Sequence, residues 1–263
     1  MKTIVTDLDG TILNNGKLSS KTIKVLKDIQ EEHRLVLATG RNMENVKHIY
    51  QQLEMDKYKT GALILLNGLG LYDFKDNEYI HLNSFDKKTT NKITNLTYCL
   101  FFRTTVVGEK ERIELNCLYD KLYFLLRYII KHKPFEYTNK VTKFPEEVEK
   151  IELEGTILFK YFFCILRVFL KSYEVLRVSK RWIEILPKGI NKVNQLKYLI
   201  KKYSIKQDDL YVFGDGENDI EMLKFAKNSY APLNALNNVK HVAKHICSSC
   251  SDDGVTSVIE KIY

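Results

Sequence analysis

The chain has 263 residues, 44% hydrophobic and 28% charged, the balance of an ordinary globular protein rather than a disordered or fibrous one. Its most apolar run, Tyr161–Leu170, is too short to span a bilayer and contains Arg167, so it reads as a packed helix and speaks against a membrane protein. The net charge of +8 comes with no recognised nucleic-acid motif, and five cysteines behind a Met1-Lys2 start that runs straight into a strand point to a reducing cytoplasm.

The first element is Thr3–Thr6, a β-branched run that reads as a buried strand and ends in Asp7-Leu8-Asp9-Gly10-Thr11. Asn15-Gly16 predicts a tight hairpin turn beside the two acids. Ser19 or Ser20 is placed to cap a helix with Ile23, Leu26 and Ile29 on one face. Leu35–Ala38 is a second buried strand, ending in Thr39-Gly40-Arg41, and a helix with Met43, Val46, Ile49, Tyr50 and Leu53 on one side follows. Ala62–Leu66 is a third strand, ending in Asn67-Gly68. This alternation predicts a parallel α/β sheet.

From residue 83 the alternation stops. Ile93, Leu96, Leu100 and Phe101 mark one helix, and Leu122, Leu125, Ile129 and Ile130 another. Lys150–Leu153 and Tyr173–Leu186 are strand-like, so residues 83–186 read as an α+β module inserted into a core of residues 1–82 and 187–263. The insert holds 19 Lys and Arg against 13 Asp and Glu, a net +6. Facing an acidic site, that charge would draw in anions; as a solvated outer face it would do nothing of the kind.

The α/β alternation resumes at Lys188-Gly189-Ile190-Asn191-Lys192, followed by a helix presenting Val193, Leu196, Leu199, Ile200 and Tyr203. Leu210–Phe213 is a strand ending in Gly214-Asp215-Gly216-Glu217-Asn218-Asp219, and a helix begins with Ile220, Leu223 and Ala226. Short strands at Ser229–Ala231 and His245–Cys247 and a helix from Gly254 close the chain. Cys247 and Cys250 form a lone CxxC with no second pair to complete a zinc site.

Separate strand ends thus carry Asp7 with Asp9, Thr39, and Asp215 with Asp219, while Lys192 starts a helix between them. Carboxylates from several strand ends make an oxygen-rich site of the kind Mg²⁺ accepts, and a hydroxyl, a lysine and free amides suit a phosphoryl group. Two acids one residue apart can divide labour, one attacking and one moving a proton.

Asp7 to Thr11 as DxDGT, Thr39 within Thr-Gly-Arg, Lys192 and Gly214 to Asp219 as GDxxND stand in the order of four motifs. The chain thereby resembles the haloacid dehalogenase superfamily of phosphohydrolases, in its Cof-type branch, subfamily IIB. The branch usually has glycine after its motif lysine; here Val193 stands there, and Lys188 is a nearby competitor. The resemblance implies a Rossmann-like α/β core with a parallel sheet and an inserted α+β cap of the C2 type. It implies a Mg²⁺-dependent phosphatase of small phosphate esters, with sugar phosphates the leading class.

On the same basis, Asp7 forms an aspartyl-phosphate and Asp9 handles the leaving-group and water protons. Asp7, the backbone carbonyl of Asp9, and Asp215 serve as metal ligands, with Asp219 a ligand or an acceptor behind them. Thr39 and Lys192 hold phosphoryl oxygens, with Leu8, Gly10, Gly40, Arg41 and Asn218 around the substrate; Arg41 either touches substrate or pairs with an acid. A monomer or weak homo-oligomer is expected. A dehalogenase would not need Asp9 or a metal. A phosphomutase or phosphotransferase would keep the same motifs, and a non-catalytic ligand-binding protein would have lost one.

Overall fold

Thr3–Thr6 (β1), Arg34–Ala38 (β2) and Ala62–Leu65 (β3) are buried at every residue, which is why their sequences are continuous apolar and β-branched runs rather than alternating ones. The computed structural model describes residues 1–81, 84–99, 102–108, 112–117, 120, 148–155, 159–177 and 181–262. Ser19 caps Ser20–Asp28 (α1), its Oγ accepting the Thr22 amide at 3.0 Å, and Asn42 caps Met43–Gln52 (α2) in the same way. Met55–Tyr58 (α3) is a single turn before β3. The Asn15-Gly16 turn is present: both residues have positive φ, and Asn14 and Lys17 exchange backbone hydrogen bonds at 3.0 and 3.1 Å.

After β3 come Gly70–Asp73 (β4) and Glu78–His81 (β5), an antiparallel hairpin on the edge of the sheet that the sequence did not announce. Its outer strand, β5, is exposed or half-buried at every residue, so it lacks the apolar run that marks the inner strands, and it pairs with β4 rather than with β3. The next elements are Lys87–Cys99 (α4), Phe102–Gly108 (β6), Arg112–Leu115 (β7), Val148–Gly155 (β8), Phe159–Phe169 (α5), Glu174–Arg177 (β9) and Trp182–Leu186 (β10). Then follow Lys192–Tyr203 (α6), Leu210–Phe213 (β11), Ile220–Phe225 (α7), Asn228–Pro232 (β12), Asn237–Val242 (α8), His245–Cys247 (β13) and Gly254–Ile262 (α9).

The chain divides into two compact units, Met1–Leu82 with Ile190–Tyr263, and Asn83–Gly189. The first is a Rossmann-like α/β unit whose sheet runs β13-β12-β11-β1-β2-β3-β4-β5, parallel from β13 to β3. Thr6 of β1 is level with Leu37 of β2 and with Phe213 of β11. That register brings Asp7, Thr39 and Asp215 out along one edge, at the carboxyl ends of the strands, where open parallel sheets bind ligands.

The inserted unit is an antiparallel sheet, β7-β6-β8-β10-β9. Phe102, Val106, Ile151, Leu153, Ile183 and Ile185 on one face pack with Ile93 of α4 and Leu166 and Leu170 around α5. On the other face Lys150 bridges Glu152 at 2.8 Å and Glu184 at 2.7 Å. The expectation that α5 packs is met along one stripe: Leu166 is fully buried, while Val168 and Phe169 are 70% and 64% exposed. The helix-forming residues expected at Leu100, Phe101, Leu122, Leu125, Ile129 and Ile130 lie outside the described residues. No helix among the described residues is long and apolar enough to cross a membrane.

Candidate active site

Asp7 is the first residue past β1, and its amide still donates to the Phe213 carbonyl at 3.0 Å, so the neighbouring strand fixes its backbone. Asn191 caps α6, its Oδ1 accepting the Asn194 amide at 3.0 Å, and Lys192 is the first residue of that helix. The Lys192 side chain is fully buried, with Nζ 2.6 Å from Asp7 Oδ1 and 2.7 Å from Asp219 Oδ1. Lys188 is exposed, so Lys192 is the lysine that faces the acids, and Val193 in the glycine position does not disturb it. Asp219 in turn accepts the Asp215 and Gly216 amides through Oδ2, both at 3.0 Å, which closes the loop after β11 around it.

The loop after Asp7 is tightly folded. Leu8 is fully buried, and its carbonyl accepts the Ile12 and Leu13 amides at 3.1 and 2.8 Å. Gly10 has φ +85°, and a Cβ there would fall 2.5 Å from Asp215 Oδ2, so glycine is required by both backbone and space. Thr11 Oγ1 donates to Asp215 Oδ1 at 2.7 Å. Asn234 Nδ2 donates to the Gly10 carbonyl at 2.7 Å, while its Oδ1 accepts the Cys250 amide at 2.8 Å. Asn234 was not picked out in the sequence, because a lone asparagine in a loop carries no pattern.

Asp9 is placed apart from the other acids. Asp7, Asp215 and Asp219 offer carboxylate oxygens within 4.8 Å of one another, and Asp9 is outside that group. Its carboxylate is 56% exposed and held by Arg41, with Nη2 at 2.6 Å and Nε at 2.8 Å. Of the two roles open to Arg41, pairing with an acid is the one seen here. Thr39 is buried, its amide bonded to the Ile64 carbonyl at 2.8 Å and its Oγ1 accepting the Arg41 amide at 3.1 Å. Gly40 lies against the Asn67 side chain, and Asn218 Nδ2 donates to Asn67 Oδ1 at 2.8 Å. Asn67 belongs with these residues too; its Asn-Gly signal marked a strand end, not a site.

Three buried or half-buried carboxylates face one ammonium. Burial pushes Asp7 up to about 8, with Asp219 and Asp215 adding to the rise and Lys192 opposing it. Burial likewise lifts Asp215 to about 6, against the Thr11 hydrogen bond. Burial would lower Lys192, yet Asp219 and Asp7 raise it above its ordinary value. A fully raised Asp7 and a fully raised Lys192 pull in opposite senses, since the lysine needs ionised partners; the charged ammonium is the firmer of the two, with the surplus negative charge left among the acids. A hard divalent cation fits that surplus, and every donor in the cluster is oxygen. Cys247 and Cys250 are pushed up to about 11 by burial, so neither is a thiolate at neutral pH, and neither joins the acidic cluster.

The family profile of haloacid dehalogenase-like hydrolases matches residues 4–259. The chain is a haloacid dehalogenase-like hydrolase. It is 27% identical over 279 residues to a Streptococcus pyogenes protein with a provisional phosphatase name, covering 99% of this chain and 98% of that one. It is 23% identical over 280 residues to the 5-amino-6-(5-phospho-D-ribitylamino)uracil phosphatase of Bacillus subtilis, covering 99% and 97%. A solved subclass IIB sugar phosphatase of the superfamily shares the fold at TM-score 0.77 with 20% identity, covering 100% of this chain and 99% of that one.

Proposed function

We propose that this hydrolase cleaves small-molecule phosphate monoesters, with sugar and polyol phosphates the leading class, through an aspartyl-phosphate on Asp7 and with Mg²⁺ as cofactor. The observation that carries the reading is the position of Asp7, at a strand end, touching Lys192 and grouped with Asp215 and Asp219. A carboxylate fixed there can attack phosphorus in line, and Lys192 and the Thr39 hydroxyl would meet the charge on the equatorial oxygens. Asp7, Asp215 and Asp219 would hold the cation, with the Asp9 backbone carbonyl a further ligand. When bound, Mg²⁺ offsets the repulsion between the attacking carboxylate and the phosphate.

Asp9 takes the proton role. In its acid form it gives its proton to the leaving oxygen, the carboxylate so formed then takes a proton from the water that releases phosphate and is restored to the acid, and Arg41 sets its orientation between those steps. The polyol class is supported by the name of the Bacillus relative and the sugar class by that of the subclass IIB structure. The inserted unit is proposed as the cap that selects among esters. Five free cysteines accord with a reducing compartment, and we place the protein in the cytoplasm.

The test is a panel of phosphate esters with Mg²⁺, with chelator, and with Asp7→Asn. The reading expects turnover that chelator abolishes and that Asp7→Asn lacks. Full activity after exhaustive chelation would remove the metal from the account, and turnover by Asp7→Asn would remove the nucleophile.

A further inference from the structure

After β3 the backbone makes three consecutive left-handed steps, with φ of +50° at Leu66, +56° at Asn67 and +104° at Gly68. Asparagine tolerates that region and leucine does not, so a buried run of three persists because its surroundings hold it. The Leu66 amide donates to the Arg41 carbonyl and the Asn67 amide to the Thr39 carbonyl, both at 3.0 Å. Asn67 Oδ1 accepts Asn218 Nδ2 at 2.8 Å. A Cβ on Gly68 would fall 2.2 Å from the Asn191 carbonyl oxygen, and the Gly68 carbonyl accepts Gln195 Nε2 at 3.1 Å. One turn therefore touches the Thr39–Arg41 backbone, the Asn218 side chain and the first turn of the helix that carries Lys192.

We infer that Asn67 is a positioning residue, whose side-chain amide holds Asn218 while its backbone amide holds Thr39, so that both sides of the phosphoryl cradle keep one geometry. This rests on the phosphatase reading. The competing role is a plug that fills space and supplies a left-handed backbone. In that case the side chain is dispensable once the backbone is satisfied.

Asn67→Gly separates the two, because glycine takes the left-handed conformation freely and removes only the amide, whereas Asn67→Ala removes the amide and strains the backbone. The expected result is a melting temperature near wild type for Asn67→Gly, with kcat/KM on an aryl phosphate down about tenfold and inorganic phosphate bound more weakly by a similar factor. Asn218→Ala should cost a similar factor, and the double variant Asn67→Gly/Asn218→Ala little more than either alone. Wild-type phosphate affinity and kcat/KM in Asn67→Gly, or fully additive losses in the double variant, would overturn the inference. Phosphate binding is read by calorimetry on the Mg²⁺-loaded protein, without turnover. A wild-type protein that binds phosphate but hydrolyses no ester therefore defeats the phosphatase reading while the Asn67 comparison still decides its own question. Should Asn67→Ala not fold, Asn67→Gly and Asn218→Ala carry the test.

Discussion

Lys192 Nζ sits 2.6 Å from Asp7 Oδ1, in a pocket where the lysine side chain is wholly shielded from water. It is also the link to Asp219, so one ammonium orders two carboxylates from different loops. Lys192→Met should leave the buried Asp7–Asp219 pair, with the negative charge it holds, without its counter-charge. Removing one partner of a buried ion pair costs about 3–5 kcal/mol. The loss should shrink as pH falls and Asp7 takes up its proton. Turnover should fall about 10²–10³-fold with the missing phosphoryl contact. Urea unfolding at acid and neutral pH checks the first part, and a variant as stable as wild type at neutral pH contradicts it.

The metal-free protein should lose stability as pH rises. Asp7 moves from 3.8 when unfolded to about 8 when folded, so between those values the folded state binds more protons than the unfolded one. Stability therefore falls with increasing pH across that window, and Asp215, raised to about 6, adds to the fall in its lower part. A divalent cation reverses the sign by favouring the ionised acids. Mg²⁺ should raise the melting temperature more at pH 8 than at pH 5, and its binding at neutral pH should release about one proton, read by calorimetry in buffers of different ionisation enthalpy. A melting temperature that climbs with pH in chelator would defeat this.

Much of this arrangement was legible in the sequence because short motifs at strand ends are local objects. Asp7, Thr39 and Asp215 needed only the strand pattern and the parallel register that it implied. What escaped was whatever depends on contacts far along the chain. Asn234 acts on Gly10 from the other end of the protein, and Asn67 meets Asn218 across the cleft between two loops. The outer strand β5 is an edge element with no apolar run, so nothing in its own sequence marks it. Asp9 illustrates a different limit: its spacing from Asp7 suggested a shared site, but whether its carboxylate joins the cluster or Arg41 is a matter of rotamer and loop path.

Asp9 and Arg41 are expected to separate chemistry from stability. Asp9→Asn should fold normally, since a pair this exposed contributes at most about 1 kcal/mol. Its turnover of an alkyl phosphate should drop about 10²–10⁴-fold, and less for an aryl phosphate whose leaving group needs no proton. Arg41→Ala should lower kcat by a smaller factor, with the melting temperature unchanged. An Asp9→Asn protein with wild-type rates on alkyl phosphates would end the proton-transfer role.

The inserted unit should decide which ester is cleaved. In the proposed mechanism Asp7, Thr39, Lys192, Asp215 and Asp219 serve a phosphoryl group and its cation, which gives them no means of telling one leaving group from another. Residues 83–186 are the remaining segment large enough to do so, and they hold 19 Lys and Arg against 13 Asp and Glu. If part of that excess faces the substrate, attraction of anionic esters must weaken as salt shortens the screening length from roughly 30 Å at 0.01 M to about 8 Å at physiological strength. Replacing the segment with a short linker should leave slow hydrolysis of small aryl phosphates and erase the preference among sugar phosphates. The measurement is kcat/KM across a substrate panel, with and without the segment, at low and physiological salt, after circular dichroism has shown the shortened protein to be folded. An unchanged ranking of substrates would refute the selective role, and a flat salt response in the intact protein would refute steering while leaving selectivity standing.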